Sequence, residues 1–427
     1  MVESTILSRK IIKPSSSTPS SCRRHNLSFI DHISTPAYAP IAAFYSKPAN
    51  YNISKISQIV ENSLSKVLTS YYPFSGRIVD NKYVDCNDTG AQYLNVRISC
   101  PMYEVLNNPY NDAADVVFPQ DLPWSNTLDG NLLVAQLSHF VCGGIAISVC
   151  VSHKIVDGYS LSKFLNDWAA TSRNELDFKP SAQFDAASFF PLMDDPPFVR
   201  DFVREPQQCL SRTYNFSSSN LRRLKDIVAT NSEVQNPTRV EVALALLHKC
   251  VLMANFREFK PFLLSSVMNI RPTLPLINTI GNATCFFSSA TTTEDEIQVP
   301  HAVARVQKAK QHLRDKLKDT SSDQIASHAL ESIKAAANSS SEILFCSSLC
   351  NFGLYKTDFG WGKPIRVTLP SHPMKNNIIF LDDPSGQGID ALITLKETDM
   401  LIFQVNKELL EFASPLVPSP EFVKSRL

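Results

Sequence analysis

The chain of 427 residues contains no uninterrupted apolar stretch of about 18 residues, the length a transmembrane helix needs. A bilayer-spanning helix is therefore not expected. Met1 to Ser21 is rich in Ser, Pro, Lys and Thr and lacks the apolar centre of a secretory signal. Charge of one sign is missing too, since 41 Lys and Arg balance 41 Asp and Glu. Nothing marks the chain for nucleic acid or for an anionic membrane surface. Ten cysteines are present, scattered and without a Cys-x-x-Cys pair. With no secretory signal they read as reduced thiols, mostly core filler, in a cytoplasmic protein. Asn-x-Ser/Thr triplets such as Asn215-Phe216-Ser217 then carry no meaning. There is no internal repeat and no Gly-rich phosphate loop. What is present, 44% hydrophobic and 19% charged residues, is the composition of an ordinary globular protein. The length exceeds one comfortable core, so two domains are expected.

Chemistry concentrates around His153-Lys154-Ile155-Val156-Asp157-Gly158. Two apolar runs, from Leu132 to Leu137 and from Ile145 to Val151, flank Cys142-Gly143-Gly144. β-branched residues about a Gly-Gly turn predict paired strands. After Gly158, apolar residues fall at Leu161, Phe164, Leu165, Trp168 and Ala169, a helical spacing with Ser160 as the expected N-cap. His153 thus lies where a buried strand ends and the chain turns into a helix. An imidazole held there by rigid structure can face a cavity, as a general base must. Two plainer readings stand beside this one: a packed core histidine, and Asp157 as a helix cap. A metal site would need a third ligand and one continuous helix carrying His153 and Asp157, which the preceding strand opposes.

Elsewhere, apolar spacing from Ile53 to Leu68 predicts a helix that Pro73 terminates. Strands are expected around Ile78-Val79 and Tyr83-Val84-Asp85, and residues 101–125 read as a long loop with a helical turn or two. From Phe178 to Ser211 repeated prolines destroy any period, as in a crossover between domains. The second half opens on the strand Thr213 to Phe216. Helices follow over Asn220 to Thr230, capped by Ser218 or Ser219, and over Thr238 to Ala254. Phe262 to Ile270 reads as a buried strand and Ala302 to Leu317 as a basic amphipathic helix. Strands are expected at Pro364 to Val367, Ile378 to Leu381 and Asp390 to Leu395, then one helix from Glu397 to Phe412; residues 339–349 show no clear element. Strands and helices alternate in both halves, so the expected fold class is α/β, layered, with mixed α+β sheets. Two Gly and a Pro around Phe359 and Trp361 make a rigid aromatic turn of Asp358-Phe359-Gly360-Trp361-Gly362.

His-x-x-x-Asp-Gly near one third of the chain and Asp-Phe-Gly-Trp-Gly near five sixths form a highly specific pair. With Tyr72 to Arg77, Val84 to Asp88, Asn269-Ile270-Arg271, Gly281-Asn282 and Asp399-Met400, they make the chain resemble, end to end, the BAHD family of plant acyl-CoA-dependent acyltransferases. The resemblance implies two similarly sized domains of the chloramphenicol-acetyltransferase type, with a channel between them and His153 at its middle. The boundaries are placed at 1–180, 181–211 for the crossover and 212–427. It implies acyl transfer from a CoA thioester to a hydroxyl or amine, with acyl-CoA as co-substrate and no permanently bound cofactor. His153 would be the base, and Asp157 would pair with Arg271 to fix the histidine loop. Trp361 could donate its indole N–H to an oxyanion, with a purely structural loop as the rival. Asp358, Gly360 and Gly362 are taken as structural. Thr238, Arg239 and Ser265 are the basic and hydroxyl candidates for CoA. Within the family the chain looks like the branch of the vinorine synthase-like alkaloid acetyltransferases. It looks closer to acylsugar acyltransferases of nightshade trichomes, on Ile11 to Pro14, Leu27 to Asp31, Val84 to Gly90, Asp115 to Pro123 and Tyr214 to Arg239. That implies an aliphatic acyl donor, a sucrose or acylsucrose acceptor and a monomeric enzyme; the alternative is O-acetylation of an alkaloid or other specialised alcohol. Leu349 and Asn351 stand where many relatives have Trp and Arg, and Pro272 where a polar or basic residue is common.

Overall fold

The computed structural model describes residues 2–108, 111–128, 130–175, 178–192, 209–255, 258–318, 322–337 and 341–416. The apolar runs around Gly143 form the antiparallel strands Leu133–Phe140 and Ile145–Ser152, in register Leu137 to Ile147. Every residue of both is buried, which is why they read as continuous apolar runs rather than alternating ones. They form the middle of a six-stranded sheet whose spatial order is Ser4–Ile12, Ala91–Ile98, Leu133–Phe140, Ile145–Ser152, Tyr38–Tyr45 and Arg366–Thr368. The second sheet has seven strands, in the order Thr284–Thr291, Phe262–Asn269, Glu342–Ser348, Asn377–Asp382, Ile389–Lys396, Cys209–Phe216 and Ser414–Pro415. Both sheets mix parallel and antiparallel pairs. Helices pack against each, so the layered mixed-sheet class is what the chain adopts.

The two halves are interlocked. Arg366–Thr368, from the second half, hydrogen-bonds along Ala42 to Phe44 as an edge strand of the first sheet. Phe29, Ile30 and Ile33 of the short helix Phe29–Ile33 lie in the core of the second half. Ile379, Leu381 and Leu392 of the second sheet lie in the core of the first. The segment 212–427 is therefore not confined to one sheet. Most of the expected crossover, residues 193–208, lies outside the described residues.

Several local expectations are corrected. Of the two caps offered for the helix Gly158–Ser172, it is Asp157 and not Ser160 that serves, its carboxylate accepting from Ser160 N. Ser217, not Ser218 or Ser219, caps Ser218–Asn231. The final helix is two, Glu397–Phe403 and Lys407–Phe412, because Asn406 accepts from Leu409 N and starts the second. Residues 342–348 form a strand of the second sheet.

Candidate active site

His153 stands on the turn that leaves the end of Ile145–Ser152. Its main chain is held on both sides. His153 N donates to Ala37 O at 2.9 Å, and His153 O accepts from Asn282 Nδ2 at 2.7 Å. The imidazole itself is uncommitted: Nδ1 is buried without a hydrogen-bond partner among the described residues. A packed structural histidine would have that nitrogen satisfied.

Asp157 does not serve the imidazole. Its Oδ1 accepts from Ser160 N at 2.9 Å, and its Oδ2 from Arg271 Nη1 at 2.6 Å and Ala283 N at 3.0 Å. The Asp157 and Arg271 side chains are both buried, at 3% and 0% exposure. Arg271 also donates to Ser160 Oγ and Gly281 O, each at 2.9 Å. Burial would push the Asp157 carboxyl up, but Arg271 and the N–H donors more than offset it and hold the group below its ordinary value. The cap and the ion pair are thus one structure: the carboxylate starts the helix and neutralises the arginine.

Three consecutive residues of one loop, reaching in from the second half, each grip a part of this assembly. Gly281 O accepts from Ser160 Oγ at 2.8 Å, Asn282 reaches His153 O, and Ala283 N reaches Asp157. Gly281 sits at φ +137°, and a Cβ there would lie 3.1 Å from Ala186 Cβ, so only glycine fits without strain. Asn282 is held in turn by Asp31, whose Oδ1 accepts from Asn282 N at 2.7 Å and Nδ2 at 2.8 Å. Neither Asn282 nor Asp31 was expected at the site. Ser28 and Asp31 do form a capping box, the Ser-x-x-acid pattern legible in sequence, but nothing local ties it to His153.

The Asp-Phe-Gly-Trp-Gly turn lies elsewhere. Ser172 Oγ donates to Phe359 O at 3.0 Å, and Ser172 closes the 15-residue helix that Asp157 starts; at about 1.5 Å per residue its ends are about 20 Å apart. The Trp361 ring meets Tyr45 edge-on, centroids 6.2 Å apart. Tyr45 pairs with Ile145, at the opposite end of the eight-residue strand from Ser152, about 24 Å away at about 3.4 Å per residue. Both rulers overturn the oxyanion role for Trp361, although its Nε1 has no partner among the described residues. The turn is a latch between halves. Asp358 Oδ1 accepts from Gly360 N at 2.8 Å and Gly362 N at 2.9 Å, both glycines have positive φ, and Phe359 packs on Trp168. Trp361→Phe is expected to leave kcat within a few-fold of the parent, against the about 10²–10³-fold that losing an oxyanion donor costs. Steady-state kinetics of that variant check this.

The CoA candidates separate. Thr238 and Glu241 form a reciprocal cap on the helix Arg239–Asn255. Arg239 spends its terminal N–H groups on Gly386 O, Gly388 O, Asn351 Oδ1 and Asp382 Oδ1, at 2.9–3.2 Å. It holds a loop and is not free for a phosphate. Ser265 is buried, and its Oγ has no partner among the described residues. Leu349 packs on the start of the helix Gly158–Ser172: a Cβ on Gly158 would lie 2.2 Å from Leu349 Cδ2. A separate cleft of about 340 Å³, among Lys47, Tyr51, Arg97, His139 and Cys142, opens at the far end of the first sheet from His153. Among the described residues no group of three or more His, Cys, Asp or Glu could hold a metal ion, and no helix is long and apolar enough to cross a membrane.

A family model described as Transferase family matches residues 2–410. Acylsugar acyltransferase 3 of Solanum lycopersicum is 58% identical, over 98% of this chain and 100% of that protein. A 17,18-epoxy-17-hydroxycur-19-ene N-malonyltransferase of Strychnos nux-vomica is 40% identical, over 96% and 90%. The crystal structure of vinorine synthase superposes with a TM-score of 0.85 at 28% identity, covering 97% of this chain and 99% of that one.

Proposed function

The chain belongs to the BAHD group of the Transferase family and is an acyl-CoA-dependent acyltransferase, and on that premise we propose that it esterifies a hydroxyl of sucrose, or of a partly acylated sucrose, with an aliphatic acyl group. An alcohol is a weak nucleophile near neutral pH, so a base must take its proton as it attacks. His153 is that base. The acceptor oxygen forms a bond to the thioester carbonyl while its proton passes to the imidazole. The tetrahedral intermediate collapses by breaking the C–S bond, and the proton returns to the departing thiolate. The products are an ester and free CoA. Acyl-CoA is a co-substrate and no resident cofactor enters a step. Asp157 and Arg271 fix the turn that carries the base. Of the donor-side residues, Ser265 keeps an unengaged hydroxyl for CoA. The monomeric state is carried over from the family resemblance, and the cytoplasmic location rests on the unpaired cysteines.

The observation that carries the acceptor assignment is end-to-end identity of 58% with an acylsugar acyltransferase. A mass-spectrometric product assay tests it. Purified protein is offered sucrose and mono-, di- and triacylsucroses, each with acetyl-CoA and a branched aliphatic acyl-CoA. Acyl transfer to at least one sugar is expected. Transfer only to members of an alkaloid alcohol panel would replace the sugar with an alkaloid acceptor, the reading that similarity to a Deacetylvindoline O-acetyltransferase of Catharanthus roseus, 33% identical over 97% of this chain, favours.

A further inference from the structure

We propose that Asp31 and Asn282 are a positioning pair for His153, acting through its main-chain carbonyl. The inference rests on His153 being the base.

The Asn282 amide can be oriented in one way only. Its two neighbours, Asp31 Oδ1 at 2.8 Å and His153 O at 2.7 Å, are both acceptors. Nδ2, with two N–H groups, must face them, and Oδ1 is left buried without a partner among the described residues. Such an orphan is unfavourable, yet it is kept so that both hydrogens can be used. Asp31 is itself fixed: its Oδ2 accepts from Ser28 N at 3.0 Å and Ser28 Oγ at 2.7 Å, and it is fully buried. The anchor runs from the capped helix Phe29–Ile33, through a side chain of the other half, to the carbonyl of the base. Ala37 O accepts from the N–H of the same residue, which belongs to the preceding peptide unit, so the planes on both sides of the His153 Cα are held. The base is thereby set between two elements that are far apart in sequence. Turning its peptide plane would swing the imidazole, and displacements near 1 Å can cost about 10²-fold in rate.

A staple that only joins the halves would use the same atoms, and a swap separates the two roles. Asn282→Asp sets a carboxylate against two acceptors. Asp31→Asn combined with Asn282→Asp gives the carboxylate at 282 a side-chain donor at 31, at the cost of the bond that Asp31 Oδ1 accepts from the 282 main-chain N–H, and supplies no donor to His153 O. Melting temperature and steady-state kinetics are measured for both, for Asn282→Ala and for a His153→Ala control. The expected result is that the swap recovers part of the melting temperature lost in Asn282→Asp alone. Its kcat stays about 10²-fold down, with KM for acyl-CoA near the parent value. Recovery of kcat together with melting temperature, in a background where His153→Ala is inactive, makes the pair a structural staple and overturns the proposal alone. Parent-like turnover by His153→Ala overturns the base assignment and the proposal with it.

Discussion

Replacing His153 by Ala is expected to lower kcat by about 10²–10⁴-fold while leaving the melting temperature close to the parent's. The separation follows from which atoms hold the residue. The bonds to Ala37 O and from Asn282 Nδ2 use the main chain of His153, and the ring makes no hydrogen bond among the described residues. Alanine keeps both main-chain bonds and deletes only the imidazole. CoA release with a sugar acceptor gives kcat, and thermal unfolding gives the stability. A drop in melting temperature that accounts for the lost activity would make the imidazole a packing element.

The second large effect is on stability. Asp157→Asn is expected to cost about 3–5 kcal/mol, because it leaves a fully buried Arg271 without its counter-charge. Arg271→Met should cost a similar amount by stranding the carboxylate. The double substitution should cost less than the sum, since neither charge then remains uncompensated. Denaturant unfolding measures all three. The pair also sets an acid limit. The folded Asp157 carboxyl lies below its ordinary value, so its stabilisation is complete above the unfolded value of about 3.9 and is lost as pH falls through the lower folded one. Below about pH 4 the parent should lose stability more steeply than Asp157→Asn. An Asp157→Asn protein that unfolds like the parent yet is inactive would place Asp157 in the chemistry instead of the scaffold.

The strand–turn–helix around His153 was legible because its causes are local. A doubly buried hairpin needs consecutive apolar, β-branched residues, and an amphipathic helix needs apolar residues at helical spacing; both patterns are written between Leu132 and Ala169. The Asp157–Arg271 pair was expected from resemblance alone, since 114 residues separate its partners and no period connects them. In the sequence the cap stays open between Ser160 and Asp157 because both have capping side chains. Only the tertiary position of Arg271 and Ala283 makes the aspartate the better anchor.

The elements that escaped the sequence share a physical reason. Tyr38–Tyr45 contains Pro40, and Ala91–Ile98 mixes polar with apolar residues. Each is a strand because a neighbour presents a hydrogen-bonding edge in the right register, and strand formation depends on that partner more than on intrinsic preference. The roles of Trp361 and Arg239 were misjudged for a related cause. Residue type advertises a donor, but only folded distance decides what the donor meets: an aromatic cluster about 20 Å from the base for one, four backbone and side-chain acceptors for the other. What the sequence by itself determined is the fold class, the family and which residue to propose as the base, because composition, period and two short motifs are local properties. What only the tertiary structure decided is who holds that residue. Asp31, Asn282 and Gly281 act across 121 to 251 residues of chain, where contact is set by how the two sheets close on one another.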